Sequence, residues 1–168
     1  MTRYLTDEHD ERAVPETDDR AVPMLIPAAV DEVLAIAETW LAFDGRPVLA
    51  DGNVWTPHKA LRRVTDHLID HLTEIECRLA GVATVPDRWH GRRLTLDADL
   101  ARFTEADLDE ATSRLTRLGL SYRCRLSGLS AEQLDTKWEG EPDAWTVRQI
   151  VHHVSNVTLY AETIGRLP

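Results

Sequence analysis

The chain has 168 residues, enough for one domain with a substantial core and too few for two comfortable ones. Acidic residues outnumber basic ones by 29 to 19, a formal net charge of −10, which argues against a nucleic-acid backbone or an anionic membrane as the main partner. Only Cys77 and Cys124 occur, without the paired spacing of a zinc ribbon or a disulfide framework.

Residues 1–22 hold seven acids against Arg3, Arg12 and Arg20 and show little apolar periodicity. They read as a solvated tail ahead of a single domain over 23–168. The first residues lack the basic-then-apolar pattern of a signal peptide. The longest apolar run, Ala21 to Val30, is broken by Pro23 and Pro27 and is too short to span a bilayer. The expectation is a soluble, cytoplasmic protein.

From Pro27 to about Phe43, Val30, Val33, Leu34, Ala37, Trp40 and Leu41 recur at helical steps. Asp44-Gly45-Arg46-Pro47 ends that helix, and Asp51-Gly52-Asn53 marks a turn. A second helix starts at Thr56 as N-cap with Pro57 at the first helical position, and runs to about Leu79 before Gly81. Its apolar stripe is Leu61, Val64, Leu68, Leu72, Ile75 and Leu79. Residues 82–103 read as a loop around Pro86, Trp89 and Gly91. A third helix starts near Thr104, with Glu105, Asp107 and Asp109 in its acidic first turn, and reaches about Leu126 through Gly119.

Ser130 and Gln133 frame one short capped turn. The polar link Glu139-Gly140-Glu141-Pro142-Asp143 leads to a last helix capped by Thr146 and Gln149, with Ile150, Val154, Val157, Ala161 and Ile164 on its apolar face. No sheet is convincing. Four main helices predict an all-α four-helix bundle. Trp55-Thr56 and Trp145-Thr146 open two helices alike, either as ordinary capped helices with a hydrophobic staple or as a pseudo-repeat of helical hairpins.

Three of the seven histidines carry the chemistry. His67 and His71 are four apart, on one helical face bordering the apolar stripe, and His153 shares a face with Ile150, Val154 and Val157. Their convergence makes an open three-nitrogen site for a divalent cation. Zinc is the first expectation, with nickel and iron as alternatives, since imidazole suits all three. His152 reads as mainly exposed, His58 as solvated, and His9 and His90 as surface residues. Asp66 or Glu74 is the expected acceptor for the second N–H of a ligating imidazole, whereas Asp70 belongs to a solvated face. The His-Glu-x-x-His glutamate of the zincins is missing, so a peptidase is a poor reading. Cys77 reads as a small structural residue and Cys124, between two arginines, as a thiol with no partner that makes it a nucleophile. The five tryptophans read as core and helix-start packing.

Trp145-Thr146-Val147-Arg148-Gln149-Ile150-Val151-His152-His153-Val154 resembles the DinB-like family's segment leading to its first metal histidine, which by position is His153. Trp55-Thr56-Pro57-His58 and the following Asp66-His67-Leu68-Ile69-Asp70-His71 resemble its later segment with two histidines four apart. Asp66 and Asp70 stand where glutamate is frequent, and the order of the two segments is reversed. The resemblance therefore implies a DinB-like bundle that is circularly permuted, or a homodimer that exchanges hairpins. It also implies a metal-dependent protein, of the kind that includes thiol-dependent transferases and isomerases using a small-molecule thiol. A hydrolase acting on another small substrate suits the same chemistry. A non-catalytic interaction or dimerisation module is the rival. No catalytic residue beyond the metal ligands is singled out.

Overall fold

The computed structural model describes residues 20–85, 91–138 and 144–168. Most of the acidic tail, Pro86, Trp89, His9 and His90, and the link 139–143 lie outside the described residues. The chain is mostly helical: α1 (Val22–Ala37), α2 (Pro57–Leu79), α3 (Glu105–Ser127), α4 (Ala131–Asp135), α5 (Val147–Ser155) and α6 (Thr158–Glu162). Two short 3-10 turns (Glu38–Ala42 and Asp97–Leu100) and one hairpin, β1 (Val48–Ala50) with β2 (Asn53–Trp55), accompany these helices among the described residues.

The first helix starts a turn and a half earlier than the periodicity predicts, and Pro27 lies inside it. An interior proline costs about 3 kcal/mol. Burial of Val22, Leu25 and Ile26 offsets that, since each contributes roughly 1.5–3 kcal/mol. The α-helix ends at Ala37 rather than Phe43 and tightens into the 3-10 turn, where the Trp40 indole N–H donates to the carbonyl of Gly165 at 2.8 Å.

The hairpin corrects the expectation of no sheet. Its antiparallel register pairs Val48 with Trp55 across Asp51-Gly52, both with positive φ (55° and 70°) as a two-residue hairpin turn requires. Trp55 leads directly into the capping residue of α2. The Thr56 hydroxyl accepts from the Lys59 amide at 3.2 Å and donates to the Asp99 carbonyl at 2.6 Å. At the far end, Gly81 (φ 66°) closes a Schellman motif, with Val82 N donating to Cys77 O and Gly81 N to Arg78 O.

Helix α3 is continuous through Gly119, with Thr104 and Asp107 forming its capping box. The expected last helix is in fact two. The Ser155 hydroxyl donates to the His152 carbonyl at 2.7 Å, and the ladder breaks at Asn156-Val157 before α6 resumes. Val157, Ala161 and Ile164 remain buried beyond the break.

Helix α1 packs most extensively on α3 and also touches α5 and α6, while α2 packs on α3, α5 and α6. The shared core draws Leu25, Ile26 and Val33 from α1, Val64, Leu68 and Ile75 from α2, Leu115, Tyr122 and Leu126 from α3, and Val147, Ile150, Val151 and Val154 from α5. No helix among the described residues is long and apolar enough to cross a membrane.

Candidate metal centre

Helix α2 buries a stripe through Val64, Leu68 and Ile75, and His67 and His71 lie beside it on the side that α5 covers. Helix α5 is pinned by Ile150, Val151 and Val154, which leaves His153 facing α2. The three rings meet. Their centroids are 4.7 Å apart for His67 and His71, 4.9 Å for His67 and His153, and 5.1 Å for His71 and His153. One nitrogen from each lies within 4.8 Å of the others. Nitrogens at about 2.0–2.1 Å from one tetrahedral ion stand roughly 3.4 Å apart, so small ring rotations bring these three onto a single cation. All three come from one chain.

The donor set is in the state a cation needs. Burial lowers the His67 pKa well below its ordinary value, and His71, Arg63 and His153 add to the effect. Burial likewise brings His153 down to about 4, with His71 and Arg63 lowering it and Glu74 opposing. Both imidazoles are neutral at neutral pH, with a lone pair to give. His71 is oriented from behind: its Nδ1 lies 2.9 Å from Glu74 Oε2. Burial pushes the Glu74 carboxyl up, but hydrogen bonds from His71 and Arg78 outweigh it and hold it below the ordinary carboxylate value. Arg78 Nε donates to Glu74 Oε1 at 3.0 Å.

Aromatic rings wall the cluster. The Trp145 ring is 4.7 Å from His153 and that of Tyr160 is 5.9 Å from His67. Trp138 packs on the Arg78 guanidinium at 5.4 Å and donates its indole N–H to the Trp145 carbonyl at 2.7 Å. The Arg63 guanidinium sits 5.4 Å from the Tyr160 ring. Arg63, His67, His71, Glu74 and Arg78 thus form one continuous line along α2. Steps of three and four in the sequence carry that line, but Tyr160 and Trp145 join it only through tertiary packing.

Among the expected acceptors, Glu74 takes the orienting position. Asp66 instead lines a groove of about 250 Å³ with His58, Arg62 and Phe103, while Asp70, expected on a solvated face, is half-buried. His152 corrects its expectation: it is 6% exposed, because α5 is covered by α1 as well as α2. His58 is half-buried rather than solvated, edge-on to Phe103 at 5.3 Å and 3.5 Å from Asp107, and stands apart from the cluster. Cys77 is half-buried and Cys124 exposed, and neither joins the cluster. Trp40 and Trp55 are core residues. No protein-family model, curated protein or solved structure matches the chain.

Proposed function

We propose that the chain is a DinB-like metal-binding helical bundle that holds one divalent cation, zinc in the first place, through His67, His71 and His153. The observation that carries this reading is the convergence of three imidazole nitrogens, from two helices far apart in sequence, within 4.8 Å. The reversed order of the two histidine segments is compatible with it, since a single chain brings both together without hairpin exchange. Its four principal helical segments then make a permuted bundle, in which α5 and α6 together count as one.

Among the described residues no carboxylate or thiol joins the three histidines as a fourth ligand. A three-ligand set with open positions belongs to chemistry rather than to a purely structural ion. A cation bound there supplies a Lewis acid that lowers the pKa of a thiol or water and polarises a carbonyl. The protein's part is to keep His67 and His153 neutral by burial, to aim His71 through Glu74, and to exclude water with Trp145 and Tyr160. We read the activity as a thiol-dependent transfer or isomerisation, or a hydrolysis, on a small substrate in the reducing cytoplasm.

Metal analysis of the purified protein tests the site. The wild type is expected to carry one zinc, nickel or iron per chain, and His153→Ala and His67→Ala to lose it while keeping their helical circular dichroism. A wild type without stoichiometric metal, even after incubation with zinc, rejects the reading. Turnover assays with a low-molecular-weight thiol, run with and without the metal, then separate thiol-dependent chemistry from hydrolysis.

A further inference from the structure

The groove that Asp66 lines shares no residue with the three histidines. It encloses about 250 Å³ between the N-terminal halves of α2 and α3. Arg62 and Asp66 each stand one position before a residue of the histidine line, about 100° round the helix, so α2 presents the groove and the histidines on different faces. Buried Leu61 and Phe103 make the groove's apolar base, with Ala98 and Ala111 beside them. An apolar cavity of about 150 Å³ holds a benzene ring, so this one has room for a ring and a short chain.

The arginines of the lining are engaged. Arg62 grips Asp99 in a fork, Nε donating to Oδ1 at 3.1 Å and Nη2 to Oδ2 at 2.6 Å, and Arg114 pairs with Glu110 one turn before it on α3. Asp66 has contacts of its own. Asp107 differs. Its Oδ2 accepts from the Thr104 amide at 2.8 Å and from the Thr104 hydroxyl, and its Oδ1 lies 3.5 Å from His58 Nε2. No arginine or lysine among the described residues pairs with it, and an imidazole is a weak base rather than a fixed charge. The His58 Nδ1 is buried without a hydrogen-bond partner among the described residues. With Nε2 turned to Asp107, that nitrogen is an unmet acceptor in the neutral ring. Phe103 meets His58 edge-on at 5.3 Å, so the apolar base adjoins these acceptors.

We propose that this groove is a second binding site, for a small organic cation in which a protonated amine is joined to an aromatic ring, with the ammonium set against Asp107 and the ring against Phe103 and Leu61. Charge complementarity names the amine: a partly exposed carboxylate meets a ligand that brings both a positive charge and N–H donors. The apolar base names the ring. The site stands independently of the metal reading.

Calorimetric titration of the full chain tests it, with 2-phenylethylammonium as probe, 2-phenylethanol as its neutral counterpart and 3-phenylpropionate as its anionic one. The ammonium is expected to bind about tenfold tighter than the alcohol or more, and the anion more weakly than either. Asp107→Asn keeps an acceptor for the Thr104 cap but removes the charge, and should bring the ammonium to within about threefold of the alcohol. Ala111→Trp fills the groove and should abolish binding of the ammonium. Chelator or added zinc should leave the wild-type affinity unchanged, since none of the three histidines lines the groove. If Asp107→Asn fails to fold, the comparison of the three ligands and Ala111→Trp decide. An alcohol or anion that binds as tightly as the ammonium overturns the inference, and so does the absence of saturable ammonium binding. Wild-type preference in Asp107→Asn, wild-type affinity in Ala111→Trp, or ammonium binding that chelator abolishes overturns it equally. Protein that holds no metal yet binds the ammonium in the expected order rejects the metal reading alone.

Discussion

Glu74 Oε2 and His71 Nδ1 lie 2.9 Å apart. A carboxylate accepts and cannot donate, and Glu74 is held ionised by its contacts, so Nδ1 carries the proton and, in the neutral ring, the lone pair for a cation is the one on Nε2. The bond therefore fixes a tautomer as well as a ring orientation. Replacing Glu74 by Gln removes the charge, and with it the preference for that tautomer. Metal affinity is expected to fall about 10–100-fold, read by competition with a chromophoric chelator. Affinity equal to that of the wild type would show that His71 needs no support from behind.

Acid should loosen the metal-free protein before most of its surface groups titrate. His153 binds a proton at about 4 in the fold and near its ordinary 6.5 when unfolded, and His67 shifts in the same direction. Between those two values the unfolded chain holds more protons, so stability declines as the pH falls through that window; above 6.5 and below about 4, His153 contributes no slope. Glu74, with its lowered pKa, adds to the loss at the acid end. The urea midpoint of chelator-treated protein is expected to be lower at about pH 5 than at about pH 7. His153→Asn should shrink that difference. A midpoint independent of pH, or one rising towards acid, contradicts this.

Capping was readable from the residues because it is local. Thr56, Thr104, Ser130 and Thr146 each meet an amide three residues on, and all four cap the helices expected of them. The His67 and His71 pair is equally local, and His153 follows from which face of α5 is apolar. The hairpin was hidden because three-residue strands are too short to show alternation. The start of α1 was misplaced because Pro27 looks like a boundary when the burial of Val22, Leu25 and Ile26 is unknown. The burial of His152 and the proximity of Tyr160 to Arg63 depend on which helices cover α5 and α2, information that no single segment holds.

Tyr122 ties α3 to α2 next to the site. Its buried hydroxyl donates to the Leu68 carbonyl at 2.8 Å, one residue past His67. Burial, reinforced by the negative charges of Glu74 and Asp70, raises its pKa, so it remains a donor at any working pH. Tyr122→Phe keeps the ring and removes only the donor, and should cost about 1 kcal/mol in denaturant unfolding. Metal affinity should change little, because the Leu68 carbonyl is held from its own helix as well. A large loss of metal with little loss of stability would instead make Tyr122 part of the site's positioning.

Gly119 sits in the middle of α3, where a glycine costs helix stability yet the helix does not break. A methyl group there would meet the Pro27 Cα at 3.5 Å and the Val30 side chain at 3.6 Å, ordinary contact distances with no overlap. Gly119→Ala is therefore expected to stabilise the protein by up to about 1 kcal/mol through helix propensity and contact with α1. A larger side chain has no such room, because the nearest atom belongs to the α1 backbone and cannot swing aside. Gly119→Leu should push α1 from α3 and cost about 1–3 kcal/mol. Thermal unfolding of the two variants beside the wild type checks both signs. If alanine destabilised as much as leucine, α1 and α3 would have to approach more closely than these distances allow.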